Sequence, residues 1–236
     1  MNLDNALRLQ YLEAMGIDVW VPRVSAHSEQ ALITGAVASI DNAEPETPAS
    51  ATDSWAALEA EVANCTRCAL CTTRSQTVFG SGNKQADWML VGEAPGQHED
   101  EQGLPFVGNA GLLLTEMLRA IGLSREEVFI TNILKCRPPN NRDPHADEVE
   151  HCNDYLQRQQ QLIQPKIILA VGRIAAQTLL KTAEPLSKLR GKTHAFNTTP
   201  VVVVYHPAYL LRSLPEKRKA WQDLKYAIQT VKNNKG

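Results

Sequence analysis

The chain has 236 residues, which is enough for one well-packed domain with additional segments but too few for two large domains. Its hydrophobic content of 43% is ordinary, and no apolar run approaches the roughly 20 residues of a membrane-spanning helix. The net charge of −2 excludes a strongly basic protein, so any contact with nucleic acid must come from local basic patches. The first residues include acidic side chains and no secretory hydrophobic region, which predicts a cytoplasmic protein.

The composition divides the chain into three parts. Residues 1–23 are predicted to form a short amphipathic helix that stops at Gly16. Residues 24–53 are rich in Ala, Ser, Thr, Pro and Glu, a composition that buries little apolar surface and predicts a flexible linker. Residues 54–236 show a dense, regular pattern of apolar segments and are predicted to form the functional domain.

Within residues 54–236, short apolar strands alternate with amphipathic helices. Strands are predicted at residues 88–92, 128–132, 167–171 and 201–205. Helices are predicted at residues 110–121, 146–163, 173–181 and 215–231. Continuous apolar strands that are followed by helices indicate an α/β fold with a mostly parallel sheet covered on both faces. In such sheets, ligands bind beyond the carboxyl ends of the strands.

The five cysteines are an odd number for a disulfide framework and favour metal binding or chemistry. Cys65, Cys68 and Cys71 form a C-x2-C-x2-C run, and Cys136 and Cys152 follow much later. Closely spaced thiolates suit zinc or an iron–sulfur cluster, and buried free thiols are the alternative. The spacing alone does not choose between the two metals, nor does it say which four cysteines bind.

Two glycine-bounded loops are candidates for ligand contact. Residues 92–96 (GEAPG), which include Glu93 and Ala94, directly follow a predicted strand, and the glycines let the backbone approach a ligand closely. Residues 103–108 (GLPFVG) hold Phe106 in a loop where its ring can offer a face to a planar base. The alternative interpretation of Phe106 is a residue that anchors the loop in the core.

Two further polar motifs lie at strand ends. Asn132 ends a predicted strand, and its amide can both donate to and accept from the edge of a pyrimidine; a turn or cap residue is the alternative. His206 begins a predicted loop with the sequence HPAYLLR. In that loop Leu210 or Leu211 is a candidate wedge between bases, and Arg212 is a candidate phosphate contact.

Taken together, GEAPG, GLPFVG, TNILKC, HPAYLLRS and the cysteine pattern resemble the iron–sulfur-containing family 4 uracil-DNA glycosylases. The resemblance covers the chain from about Cys65 to the C-terminus. It implies a three-layer α/β/α sandwich with a central four-stranded parallel sheet. It also implies a monofunctional glycosylase of base excision repair, which hydrolyses the N-glycosidic bond of deoxyuridine in DNA. The implied ligands of a 4Fe-4S cluster are Cys65, Cys68, Cys136 and Cys152, which leaves Cys71 over.

The resemblance also implies roles for individual residues. Phe106 would stack on a flipped uracil, Asn132 would read its edge, and His206 would hydrogen-bond the uracil O2. Ala94 stands where another family of uracil glycosylases carries an aspartate that positions water. The backbone near Glu93 and Ala94 would line the pocket, and Glu99 is the favoured assistant for the attacking water, with Glu93 as the neighbouring carboxylate.

Contacts outside the pocket are predicted from charge and from a second, shorter resemblance. The basic residues considered for contact with DNA phosphates are Arg190, Lys192, Arg212, Lys217, Arg218 and Lys219. The stretch LQYLEAMGIDVWVPR within residues 1–23 looks like the N-terminal segment of the ψ subunit of bacterial replicative polymerase, which docks on a clamp-loader partner. The alternative is a helix that packs on the enzyme itself. We expect a monomer.

Two rival functions remain at this point. One is a related glycosylase for another lesion, or a relative that forms a stable adduct with uracil-DNA. The other is a DNA-binding module with a metal site and a decayed pocket. The absence of a basic insertion in GEAPGQHEDEQG counts against the adduct, and the presence of Phe106, Asn132 and His206 counts against decay.

Overall fold

The computed structural model describes residues 54–233, so the helix predicted at residues 1–23 and the linker predicted at 24–53 lie outside the described residues. The strands are β1 (Ser81–Gly82), β2 (Trp88–Gly92), β3 (Val128–Asn132), β4 (Ile167–Val171), β5 (Thr193–Phe196) and β6 (Thr199–Val204). The α-helices of the described part are α1 (Trp55–Ala63), α2 (Gln97–Gln102), α3 (Asn109–Ala120), α4 (Ala146–Ile163), α5 (Arg173–Leu180), α6 (Leu186–Leu189), α7 (Pro207–Arg212) and α8 (Lys217–Asn233). Short 3₁₀ helices occur at Ala69–Thr72, Pro139–Asn141 and Leu214–Glu216.

The described strands form one sheet of six strands in the order β1-β3-β2-β4-β6-β5. Strands β3, β2, β4 and β6 are parallel neighbours, and every residue of β2, β3 and β4 is buried. The expected count of four strands is therefore too small, because antiparallel strands β1 and β5 are added at the two edges. Both escaped prediction because β1 has only two residues and most of β5 is not buried.

Helices cover both faces of the sheet. Along β2, Met89 and Val91 belong to one hydrophobic cluster, whereas Trp88 and Leu90 belong to another. This alternation follows from the two-residue period of a strand, which sends successive side chains to opposite faces. The first cluster includes residues of α1, α4 and α5, and the second includes residues of α3, α7 and α8. The predicted α/β class is confirmed, and the helices form one layer on each side of the sheet.

The central elements of the sheet agree with the prediction most closely, and the segments near the cavity agree least. Strands β2, β3 and β4 and helix α4 have the predicted bounds, whereas β6 begins two residues earlier than expected and ends before Tyr205. The segment after His206, which was predicted as a loop, forms helix α7, and residues 97–102, for which no element was predicted, form helix α2. In the described part of the chain, no helix is both long and apolar enough to span a membrane.

Candidate active site

A cavity of about 510 Å³ opens beyond the carboxyl ends of β2, β3 and β6. The predicted site residues that line it are Glu93, Ala94, Glu99, Phe106, Asn132, His206 and Arg212. A larger groove of about 710 Å³ lies beside Gln164, Pro165 and Thr199, where β4 and β6 begin, and none of the predicted site residues lines it. The parallel sheet therefore gathers four separate motifs at the edge where ligands bind in such folds.

Phe106 is held in an uncommon backbone conformation at the cavity wall. Its φ is +55°, in the left-handed region that non-glycine residues rarely adopt, and its side chain is buried. The guanidinium of Arg125 donates to the carbonyls of Pro105 at 2.8 Å and Phe106 at 3.3 Å. A Cβ at Gly92 would lie 2.7 Å from the Phe106 ring and 2.3 Å from Oδ1 of Asn132. The glycine that ends β2 therefore lets the ring and the amide approach each other across the cavity.

Glu99 joins the two glycine-bounded loops. Its Oε2 accepts the backbone N–H of Gly96 at 3.1 Å, and its Oε1 accepts those of Val107 at 3.0 Å and Gly108 at 3.4 Å. The first bond belongs to the capping box that begins α2, and the other two fix the residues directly after Phe106. Both carboxylate oxygens of Glu99 are therefore occupied by backbone donors.

Asn132 is buried at the end of β3, in register with Gly92 of β2. Beneath it lies Lys135, a fully buried lysine whose Nζ donates to the carbonyl of Asn132 at 2.8 Å. The same ammonium group donates to Oγ1 of Thr131 at 2.6 Å and to Oε1 of Gln159 at 2.7 Å. Burial lowers the pKa of Lys135 to about 7. Sequence reasoning missed this residue, because nothing in its spacing distinguishes it from a surface lysine.

His206 is the N-cap residue of α7, and its tautomer follows from one hydrogen bond. Nδ1 lies 3.1 Å from the backbone nitrogen of Ala208, which can only donate, so Nδ1 accepts and the ring proton is on Nε2. Burial and the nearby charge of Arg212 lower the pKa of His206 to about 4, with the charge of Glu99 opposing them. The imidazole is therefore neutral at physiological pH. Its ring centre lies 5.7 Å from that of Phe106, with 30° between the planes.

Glu93 directly follows β2 and lines the cavity together with Asn141. Burial raises the pKa of Glu93 to about 6; the charge of Asp143 acts in the same direction, and that of Arg173 opposes it. Asp143 and Arg173 form an ion pair of 2.7 Å. A carboxyl group with a pKa near 6 changes its charge close to neutral pH, as a general base requires.

Burial and ion pairing bear on two of the predicted DNA contacts. Leu210 is only 1% exposed and packs in the core, whereas Leu211, the other candidate wedge, is 43% exposed. Tyr209 and Arg212 line the cavity from the same helix. Arg190, considered for phosphate contact, is instead paired with the buried Asp223 at 2.6 Å.

Four of the cysteines come from three separate segments to one region of the core. Cys136 and Cys152 are buried, and Cys65 and Cys68 pack against the same hydrophobic cluster. Burial raises the pKa of the Cys136 thiol to about 11, and the charges of Cys152 and Cys68 add to this rise, so these thiols lie near one another. Cys71 is half-buried, and all five described thiols are free of disulfides.

Hydrogen-bond donors point at two of these sulfurs. Nη1 of Arg74 lies 3.0 Å from Sγ of Cys136, and the backbone N–H of Lys135 donates to Sγ of Cys152 at 3.3 Å. Within residues 54–233, no three His, Cys, Asp or Glu side chains converge closely enough for one metal ion. Thiols supported by N–H donors in this way can serve as ligands of either a zinc ion or an iron–sulfur cluster.

Comparison with known proteins agrees with this geometry. Residues 79–225 match the family model of the uracil DNA glycosylase superfamily. The type-4 uracil-DNA glycosylase of Archaeoglobus fulgidus is 46% identical over 69% of this chain and 85% of the relative. The type-4 enzyme of Saccharolobus solfataricus is 45% identical over 70% of this chain and 81% of the relative. The type-4 enzyme of Thermotoga maritima is 39% identical over 72% of this chain and 91% of the relative. The chain belongs to the uracil DNA glycosylase superfamily and, within it, to the type-4 group.

Proposed function

We propose that this protein hydrolyses the N-glycosidic bond of deoxyuridine in DNA, releasing uracil and leaving an abasic site. The observation that carries the proposal is the convergence of Phe106, Asn132 and the neutral His206 on one cavity at the carboxyl end of the sheet. The type-4 relatives, which carry uracil-DNA glycosylase in their names, support uracil as the base and DNA repair as the process.

The cavity suits a pyrimidine that has left the duplex. Its volume of about 510 Å³ is enough for a single base, and flipping that base out costs roughly a few kcal/mol. The ring of Phe106 offers a face for stacking, worth about 1–3 kcal/mol per base. The amide of Asn132 can donate to O4 and accept from N3–H of uracil, whereas cytosine, with an amino group and an unprotonated nitrogen there, needs the amide turned over.

His206 stabilises the leaving group. As the bond between C1′ and N1 breaks, its electron pair passes to the uracil ring, and O2 becomes negative. Because Nδ1 is occupied by Ala208, Nε2–H is the atom that can donate to O2. A preorganised donor of this kind is worth about 10²–10³-fold in rate. Water then adds its oxygen to C1′ and gives up a proton.

The carboxylate that assists water is Glu93 in this proposal, although the sequence favoured Glu99. Three backbone N–H groups already bind Glu99, which supports a positioning role in holding the loop of Phe106. Glu93 lines the cavity with a pKa of about 6, so it is ionised at neutral pH and can accept the proton of water. Ala94 contributes backbone but no side-chain acid or base.

The pH dependence of kcat/KM separates these carboxyl and imidazole groups. Below pH 6 the proposed base Glu93 is protonated, so activity should fall as pH decreases through about 6. His206 stays neutral as the pH decreases to about 4, so it causes no second fall in activity between pH 6 and that value. We expect Glu93→Gln to lower kcat at pH 8 and to remove the fall near pH 6. A fall near pH 6 that persists in Glu93→Gln would assign the titration to another group.

Substituting Glu99 tests the positioning role. Glu99→Gln retains one accepting oxygen but places an amide NH2 against backbone donors, so charge-assisted hydrogen bonds are lost. We expect the free energy of unfolding to fall by about 2 kcal/mol and KM to rise more than kcat falls. Glu101→Gln on the exposed side of the same helix is the matched control. Unchanged unfolding combined with a loss confined to kcat would return Glu99 to the role of water assistant.

We also propose that Cys65, Cys68, Cys136 and Cys152 hold a 4Fe-4S cluster. The packing of all four cysteines in or against one hydrophobic cluster, and the N–H donors at two of their sulfurs, support this ligand set. The cluster would cross-link three chain segments, and the glycosidic reaction does not pass through it. The clamp-loader contact of residues 1–23 and the monomeric state both stay predictions.

The direct test is release of free uracil from a single-uracil oligonucleotide, followed by alkaline cleavage of the abasic site. Strand scission that requires uracil, and that is absent from the matched cytosine and thymine oligonucleotides, would establish the activity. A folded preparation that contains iron but releases no uracil would refute the proposed function.

A further inference from the structure

A column of three stacked side chains runs from the core to the rim of the cavity. The Arg190 guanidinium lies 4.2 Å from the centre of the Tyr205 ring, and the Tyr205 ring centre lies 5.1 Å from that of Tyr209, with 29° between their planes. The inner end of the column is fixed, because Arg190 is paired with the buried Asp223 at 2.6 Å and also donates to the carbonyl of Lys219. The rings are therefore held before any ligand arrives.

The outer end of the column is open. Tyr209 packs against Tyr205, yet it is 38% exposed and lines the same cavity as His206. Tyr209 and Arg212 lie one turn apart on α7, and both line the cavity together with His206, the N-cap residue of that helix. His206 is half-buried, whereas Tyr209 and Arg212 are exposed, which places the aromatic ring between the uracil site and the solvent.

We propose that the exposed face of Tyr209 is a stacking platform for the nucleobase that neighbours the flipped deoxyuridine in the same strand. The inference rests on the proposed function and names a second base site next to the uracil site. When uracil leaves the stack, the neighbouring base loses a stacking partner, and an aromatic face at the cavity rim replaces it. Arg212, one turn further along α7, is placed for the phosphate that accompanies this base.

The test uses single-stranded oligonucleotides with one uracil, in which both flanking bases are present or one is replaced by an abasic analogue on the 5′ or 3′ side. Wild type, Tyr209→Ala, Tyr209→Leu and Tyr209→Phe are compared in single-turnover uracil release, which gives a maximal rate and a half-saturating enzyme concentration. Trp221→Ala is the matched control, since Trp221 is an equally exposed aromatic residue (41%) on α8 that does not line the cavity. Thermal unfolding of each variant checks its fold, and the leucine variant retains apolar packing on Tyr205.

With both flanking bases present, Tyr209→Ala and Tyr209→Leu should raise the half-saturating concentration roughly 5- to 150-fold, the range expected for one stacked base. Tyr209→Phe keeps the ring and should recover most of the affinity, and Trp221→Ala should change it less than about twofold, the effect of a surface substitution. On the substrate that lacks the stacked base, the half-saturating concentrations of the wild type and Tyr209→Ala should become equal.

Three results would overturn the inference while leaving the proposed function intact. The first is a half-saturating concentration of Tyr209→Ala equal to that of the wild type. The second is a loss of affinity in Tyr209→Ala that is the same with and without each flanking base. The third is a Tyr209→Phe variant that binds as weakly as Tyr209→Ala. Absence of uracil release by the wild type would instead refute the proposed function itself.

Discussion

Replacing His206 with alanine is expected to lower kcat for uracil release by about 10²–10³-fold. The reason is the fixed tautomer: Ala208 occupies Nδ1, so Nε2–H is directed to the O2 that becomes negative only as the glycosidic bond breaks. An interaction that strengthens in the transition state affects kcat more than binding. We therefore expect the affinity for uracil-containing DNA to change less than about threefold. Single-turnover rates and equilibrium binding measure the two quantities separately.

His151→Ala is the control for the histidine prediction, because His151 is exposed on α4 and bonds only the carbonyl of Asp147. It should retain wild-type kcat. His206→Gln places an amide near the same position and should recover part of the rate if hydrogen-bond donation is the function. A His206→Ala enzyme that loses DNA affinity but retains kcat would make His206 a binding residue and leave leaving-group stabilisation to another donor.

The central strands were predictable because both faces of the sheet are covered. Burial of every residue in β2, β3 and β4 produces continuous apolar runs, and such runs are visible in the sequence. The short helices α2 and α7 have no such signal, because six residues are too few for a repeating pattern of apolar residues at helical spacing to be recognised. Local capping determines their starts: Glu99 accepts from Gly96, and His206 accepts from Ala208.

The site was predictable to the extent that topology determines it. Parallel strands bring their carboxyl ends to one edge, so motifs after three strands had to meet there, and Phe106, Asn132 and His206 do. The rotation of α7 was not predictable from the motif HPAYLLR. That rotation buries Leu210, leaves Leu211 exposed and turns Tyr209 to the cavity.

The interior polar network was not predictable from local sequence either. Lys135 is close in sequence to both Asn132 and Cys136, but its partner Gln159 comes from α4. Three acceptors lie within hydrogen-bonding distance of the buried Lys135 Nζ, and such pairing is the condition under which a polar group tolerates burial. Through this lysine, the strand end that carries Asn132 is bound to the helix that carries Cys152. Disturbing the cysteine site should therefore disturb the base-reading amide.

Loss of a cluster ligand is expected to have the largest effect on stability. Cys152 is buried on α4 and accepts the Lys135 N–H, so Cys152→Ser removes one of the four proposed cluster ligands, which come from three chain segments. Structural metal sites contribute directly to folding, and a loss of about 3–5 kcal/mol lowers Tm by about 6–20 °C in a domain of this size. Iron and sulfide analysis, visible absorbance and thermal unfolding measure the expected losses.

Cys71→Ser is the matched control for this prediction, since Cys71 lies in the same cysteine run and is half-buried like Cys65 and Cys68. It should retain iron, sulfide and the wild-type Tm, whereas Cys152→Ser should lose all three together with uracil release, because Lys135 and Asn132 lose their support. Iron lost from Cys71→Ser but retained by Cys152→Ser would show that the ligand set is wrong. Stoichiometric zinc in place of iron and sulfide in the wild type would overturn the cluster and leave the cross-linking role to a single ion.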